Sequence, residues 1–344
     1  MRKRKTILLL AILLFAIGQA QVTKTVNLTT AGTLSSTLTS DELSTITNLT
    51  ISGNINVNDF VTMRDNMPVL SVLDLNDVTI DSYTGVGTFI LATYNENEIP
   101  EFAFYKASGG KKSLTSIILP TTITSIGFCS FLDCTGLTNI SLPPLVTSIG
   151  SNAFQKCTAL TSITVSSALA SIGSSAFSNC IGLTSIIIPS SVTSIGSSAF
   201  SHCTGLCSIF SNTVIPVDLS LSDVVFSSVP KTTCNLYVPS ESLSLYKTAN
   251  QWKDFTNIMQ MPTAVATTID KRIKISPNPV IDVLHIDGIN GKFTLNILDI
   301  NGRSLLTTSG FTTEDIDIAS LPKGIYFVTI KIAEGIIERK IIAT

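Results

Sequence analysis

Apolar residues return on a fixed beat through the middle of the chain: Leu114, Leu137, Leu160, Leu183 and Leu206 each open a near-copy of one 23-residue unit. The first apolar positions of a unit are spaced three and then two apart, as in Leu114, Ile117 and Leu119 or Leu183, Ile186 and Ile188. The alternation at their end predicts a short strand with one buried face. A second apolar patch, seen as Val192, Ile195, Gly196, Ala199, Phe200 and Cys203, predicts the opposite wall of a coil. A period in the twenties predicts a solenoid whose coils pack only on their neighbours. Burying about eight inward side chains does not offset the ordering of a whole unit, so a lone coil is not expected to fold.

Outside the regular repeats of residues 114–207 the pattern loosens. Ile46, Leu49 and Ile51, then Leu70, Leu73 and Leu75, read as divergent N-terminal units. The period breaks between Leu75 and Leu114, although Ile99, Ala103 and Phe104 still resemble the second patch, with a Ser108–Lys112 loop inserted after them. Beyond Leu206, Leu236–Pro239 reads as a last strand, and Leu245, Ala249 and Trp252 at helical spacing predict an apolar face that covers the end of the core. Residues 262–273 read as a linker. From residue 274 to 344, strands alternate with the hairpin signals Asn301-Gly302 and Glu334-Gly335, which predicts a small all-β sandwich.

The first 20 residues combine a basic cluster, Arg2 to Lys5, an apolar run, Ile7 to Ile17, and a small-residue end at Gly18-Gln19-Ala20. That order predicts a secretory signal peptide cut between Ala20 and Gln21. The run is shorter than the ~20 apolar residues a membrane span needs. Residues 21–261 then form the mature solenoid. A net charge of −2 with no basic run beyond residue 5 lacks the footprint of a nucleic-acid binder.

The unit L-T-S-I-x-I-P-x-x-V-T-S-I-G-x-x-A-F-x-x-C resembles the BspA-like class of leucine-rich repeats, from about Ile46 to Ile258. The first strong unit departs at Phe128-Cys129-Ser130-Phe131, and Ser166 stands where the third unit should carry Pro. The tail resembles a type IX secretion (Por) C-terminal sorting domain through Pro277-Asn278-Pro279, then the block ending Asn301-Gly302-Arg303, then Gly324-Ile325-Tyr326. The resemblances imply a mainly β, right-handed solenoid with capped ends, exported through outer-membrane secretion machinery and released or held at the surface.

Catalytic parts are scarce. The chain has two His residues: His202 occupies a variable slot shared with Asp133, Lys156 and Asn179, and His285 lies in a tail strand. Cys134, Cys157, Cys180 and Cys203 recur with the period and should stack as buried thiols; a straight ladder surrounds no tetrahedral metal. Cys129, Cys207 and Cys234 lie off the ladder, and a Cys203–Cys207 bridge is conceivable in an oxidising compartment. No phosphate-cradling or calcium-loop spacing occurs, so no cofactor and no metal is implied.

The outward strand positions remain: Thr115, Ser116, Ile118, Thr138, Asn139, Ser141, Thr161, Ser162, Thr164, Thr184, Ser185 and Ile187. They form an uncharged, hydroxyl-rich surface suited to an extracellular protein or glycan through shape and hydrogen bonding; a charge-dependent partner would bind near Glu96 to Lys112 instead. Competing readings are a solubilising or water- and ice-ordering face, or an accessory module of a secreted hydrolase. Deleting residues 270–344 is expected to trap the chain in the periplasm on fractionation. Undiminished surface display would refute the sorting reading.

Overall fold

The structure is a computed structural model that describes residues 21–86, 91–261, 273–277, 280–298, 304–321, 324–332 and 335–343. The expected signal peptide, residues 1–20, lies outside them, as does nearly all of the expected linker.

Strands Thr23–Leu28, Asn48–Ile55, Val72–Ile80 and Ser116–Ile118 pair in parallel in chain order. Asn139–Ser141 pairs with Ser162–Thr164, and Ser185–Ile188, Ser208–Ser211, Asn235–Val238 and Asn257–Gln260 continue the series. On the second wall, Glu98–Ile99, Ser125–Ile126, Ser148–Ile149, Ser171–Ile172 and Ser194–Ile195 stack in parallel, Ile upon Ile. The repeat slots Leu137, Ile140, Leu142, Val146, Ile149, Ala153, Phe154 and Cys157 are all buried, as are their counterparts in the neighbouring units apart from the half-buried Val165.

Between the walls runs a stack of phenylalanines, one per coil. Phe104, Phe131, Phe154, Phe177, Phe200 and Phe226 succeed one another at centroid distances of 5.2, 5.2, 5.4, 5.4 and 5.7 Å. From Phe131 onward their planes lie within 7° of parallel. Each ring thus covers its neighbour's face, which explains why this slot admits nothing smaller. The Gly of the I-G slot has a steric cause. A Cβ on Gly173 would lie 2.5 Å from the Ser151 nitrogen, and one on Gly196 would lie 2.4 Å from that of Ser174.

The variable slot shared by Asp133, Lys156, Asn179 and His202 has a conformational cause. All four sit at left-handed φ, between 57° and 62°. Asp, Asn and His tolerate that region better than most side chains. Ser166, in place of Pro, is buried; its hydroxyl donates to the Pro144 carbonyl at 2.6 Å and accepts from the Ala168 amide at 3.0 Å. Ser130 has no such compensation. It occupies the slot of Ala153, Ala176 and Ala199, and its buried hydroxyl has no hydrogen-bond partner among the described residues.

The flanks differ from the expectation in three places. Ile99, Ala103 and Phe104 do fill repeat slots, but the larger insertion precedes them, in an antiparallel pair of strands, Tyr83–Val86 and Leu91–Tyr94. Residues 105–110 make only a tight ladder, Tyr105–Lys106 against Gly109–Gly110. At the C-terminal end the helix spans just Leu243–Tyr246. It turns Leu245 outward and buries Tyr246 instead. The Trp252 indole donates to the Val217 carbonyl at 2.9 Å and lies 4.9 Å from Phe226, so it meets the last ring of the stack.

N-terminal coils replace the second wall with helix Val57–Asp65. Its buried Asp59 carboxylate accepts the Asn56 amide in a capping box and also the amides of Gly32 and Leu34.

The C-terminal segment has its own core, including Leu284, Ile286, Phe293, Leu295, Ile297, Tyr326, Val328 and Ile330. Its strands are longer than the sequence suggested. Val283–Leu298 pairs antiparallel with Ser304–Asp317 and with Gly324–Ile332, which pairs in turn with Gly335–Ala343.

Ser130→Ala is expected to raise stability by about 1 kcal/mol, because it removes an unsatisfied buried hydroxyl. Urea unfolding measures it, and a lower midpoint would contradict the packing described.

Candidate binding surfaces

Within each strand the outward positions line up in columns. Register places Ser185, Ser208, Asn235 and Asn257 in one column and Ile187, Phe210, Tyr237 and Met259 in the next. Asn139 and Ser162, then Ser141 and Thr164, pair likewise. Among the predicted positions, Asn139, Ser141, Ile118 and Ile187 are exposed, and Ser116, Ser162, Thr164 and Ser185 are half-buried. No charged residue occupies a strand of this face from Ser116 to Gln260.

Thr115, Thr138, Thr161 and Thr184 differ from the rest. Their hydroxyls donate backward to the carbonyls of Ser71, Thr115, Thr138 and Thr161 at 3.1–3.2 Å. They form a rung between coils, so their hydrogens are not free for a partner.

The sequence reasoning missed the strongest feature of the face. Ile187 is 44% exposed and Met259 is 36% exposed, and between them Phe210 and Tyr237 stack at 4.7 Å with planes 8° apart. Together they make an apolar ridge across consecutive coils. The available signal was Leu206-Cys207-Ser208-Ile209, which continues L-T-S-I and makes Phe210 an outward strand position.

The cysteine ladder is a core element. Sγ of Cys157, Cys180 and Cys203 donates to the carbonyls of Phe131, Phe154 and Phe177 at 3.1, 3.0 and 3.0 Å. Burial pushes the Cys134 and Cys203 thiols up to about 12, and those of Cys157 and Cys180 well above their usual range. All seven cysteines are free. Cys203 and Cys207 do not bridge, for Cys203 is committed to the core and Cys207 is exposed.

His202 is exposed beside Ser201, with Nδ1 2.8 Å from its hydroxyl. His285 pairs with Asp315 at 2.5 Å on an exposed face of the C-terminal sheet, its strand paired on both sides. Among the described residues, no three His, Cys, Asp or Glu side chains gather as a metal site, and no helix is long and apolar enough to cross a membrane. Of the export residues, Ala20, Asn278, Pro279 and Gly302 lie outside the described positions. Gln21 and Pro277 are exposed, Gly324 opens a strand, and Tyr326 is buried in the C-terminal core.

Parallel one-per-coil strands, a second parallel wall and a stacked core define the class: a repeat solenoid. Residues 97–229 match the BspA type leucine rich repeat region in six copies, and residues 274–344 match the secretion system C-terminal sorting domain. The chain carries a BspA-type leucine-rich-repeat region and a C-terminal sorting domain, the latter marking it for export by type IX secretion to the cell surface or beyond it. The repeat match begins at the degenerate Ile99–Phe104 unit and is shorter than the Ile46–Ile258 span suggested by the residues.

Among solved structures, the T. pallidum leucine rich repeat protein (TpLRR) is 25% identical over 61% of this chain and 91% of its own, with a TM-score of 0.38. The pneumococcal vaccine antigen PcpA is 18% identical over 62% of this chain and 57% of its own, with a TM-score of 0.38. A leucine-rich repeat protein from Bacteroides ovatus is 19% identical over 64% and 73%, with a TM-score of 0.32. No curated protein matches the chain.

In the reduced native protein, iodoacetamide is expected to alkylate Cys207 well before the other thiols. Comparable labelling of Cys157 or Cys180, read by peptide mass mapping, would contradict the buried ladder.

Proposed function

We propose that the chain is a non-enzymatic adhesion protein whose strand face engages an extracellular protein. In this reading a signal peptide is removed between Ala20 and Gln21. A right-handed solenoid with covered ends, residues 21–261, is then joined by residues 262–273 to the sorting domain, residues 274–344.

The observation that carries the proposal is the uncharged strand face with its apolar ridge, in which Ile187 and Met259 are exposed and Phe210 and Tyr237 half-buried. A merely solubilising face needs no aligned apolar column. The absence of charge assigns affinity to shape and desolvation rather than steering. A protein partner is favoured over a glycan because the two rings cover each other's faces and offer edges to solvent, whereas a stacked sugar needs an open ring face. The mixed Ser, Asn, Thr and Ile columns also lack the uniformity an ice-ordering lattice requires. Among the described residues neither histidine bonds both a hydroxyl and a carboxylate: His202 meets only the Ser201 hydroxyl and His285 only the Asp315 carboxylate, which supports a non-catalytic role.

Ser141→Lys, Thr164→Lys and Ile187→Lys combined place three cations on outward positions and leave the threonine rungs intact. Capture of immobilised extracellular-matrix proteins is expected to fall by about tenfold or more. Unchanged capture by a folded variant rejects the strand-face assignment.

A further inference from the structure

A second surface with different chemistry lies where the inserted strands meet the first regular coils. Thr93, Tyr94, Asn95, Glu98, Pro100, Glu101 and Phe128 line a cleft of about 270 Å³, room for one long side chain. Its groups come from separate elements. Tyr94 ends the strand Leu91–Tyr94, Glu98 opens the first strand of the second wall, and Phe128 follows the next.

The cleft is acidic and aromatic together. Glu98 accepts the Asn95 amide at 3.0 Å. Glu101 forms no hydrogen bond or ion pair among the described residues. The nearby cation is spoken for: Arg64 donates to the Asp65 carboxylate at 2.7 and 3.0 Å and to the carbonyls of Phe102 and Tyr105. Tyr94 is only 7% exposed, yet its hydroxyl has no hydrogen-bond partner among the described residues. Burial first, and the Glu101 carboxylate second, push its phenol pKa up, against the smaller opposing effect of the Arg64 guanidinium. Phe128 is 41% exposed and braced edge-on by Phe102 at 5.2 Å.

A largely buried tyrosine that lines the cleft with its hydroxyl unbonded among the described residues, a carboxylate with no ion pair among them and a supported, half-open ring are complementary to one ligand type. It must be a cation with several donors and a flat face. Guanidinium answers this better than ammonium, because it pairs with a carboxylate through two parallel bonds while stacking on an aromatic ring. We infer that this cleft is a receptor for an arginine side chain of a protein partner, with Glu101 as counter-ion, Phe128 as stacking surface and Tyr94 as an additional hydrogen-bonding group. The site is separate from the strand face, so a partner could be held by apolar shape on one surface and by a single charged anchor on the other.

The test is titration of the full mature chain with N-acetyl-arginine amide, N-acetyl-lysine amide and N-acetyl-citrulline amide, read by NMR shifts. Arginine amide is expected to bind and citrulline amide, its uncharged isostere, to bind at least about tenfold more weakly. Glu101→Gln is expected to weaken arginine amide about tenfold, and Phe128→Leu about threefold. Both variants are checked for unchanged unfolding midpoints, and Glu101→Gln, at a partly exposed side chain, stands as the deciding one. Equal binding of arginine and citrulline amides, tighter binding of lysine amide, or affinity indifferent to Glu101→Gln would each overturn the assignment.

Discussion

No coil of this protein can satisfy its own backbone. The hydrogen bonds that do so run both ways along the stack. On the strand side a coil donates backward, Thr138 N–H to the Thr115 carbonyl and Thr161 N–H to that of Thr138. Around the phenylalanine arc it donates forward, Phe131 N–H to the Ala153 carbonyl and Phe154 N–H to that of Ala176. An interior coil is therefore tied to both neighbours at once, and an isolated one would leave donors and acceptors open on both faces.

Side chains follow the same rule. Threonine hydroxyls on the strand side and cysteine thiols in the core donate to the carbonyls of the preceding coil. This changes the meaning of two conserved-looking columns within the repeat. The ladder cysteines are hydrogen-bonded packing elements of the core, and the threonines are fasteners at the edge of the strand face rather than the face itself. What remains available outside consists of side chains with no partner between coils, and these differ from coil to coil.

Much of the fold was legible because the repeat writes each packing slot several times. Phe104 could be assigned from a degenerate copy, and it does begin the ring stack. Elsewhere a slot occurred once and the local rule misled. Helical spacing grouped Leu245 with Trp252, but a helix of four residues completes barely one turn, and Tyr246 reaches the core instead. Strand Thr23–Leu28 went unread, since only Val26 and Leu28 mark its buried face. The slot of Asp133, Lys156, Asn179 and His202 looked like free variation, whereas its left-handed backbone supplies a common constraint that no side-chain class displays.

By itself the sequence determined the period, the two walls, the stacked core and the address at the C-terminal end. These depend on residues near one another in the chain or repeated at a constant interval. Only the tertiary structure decided which outward groups are free, where Phe210 meets Tyr237, and that Tyr94, Glu101 and Phe128 share one cleft. Those relations join different coils and an inserted pair of strands. A fixed period says that coils stack, but the meeting of non-repeated side chains depends on the path of the irregular segments between them.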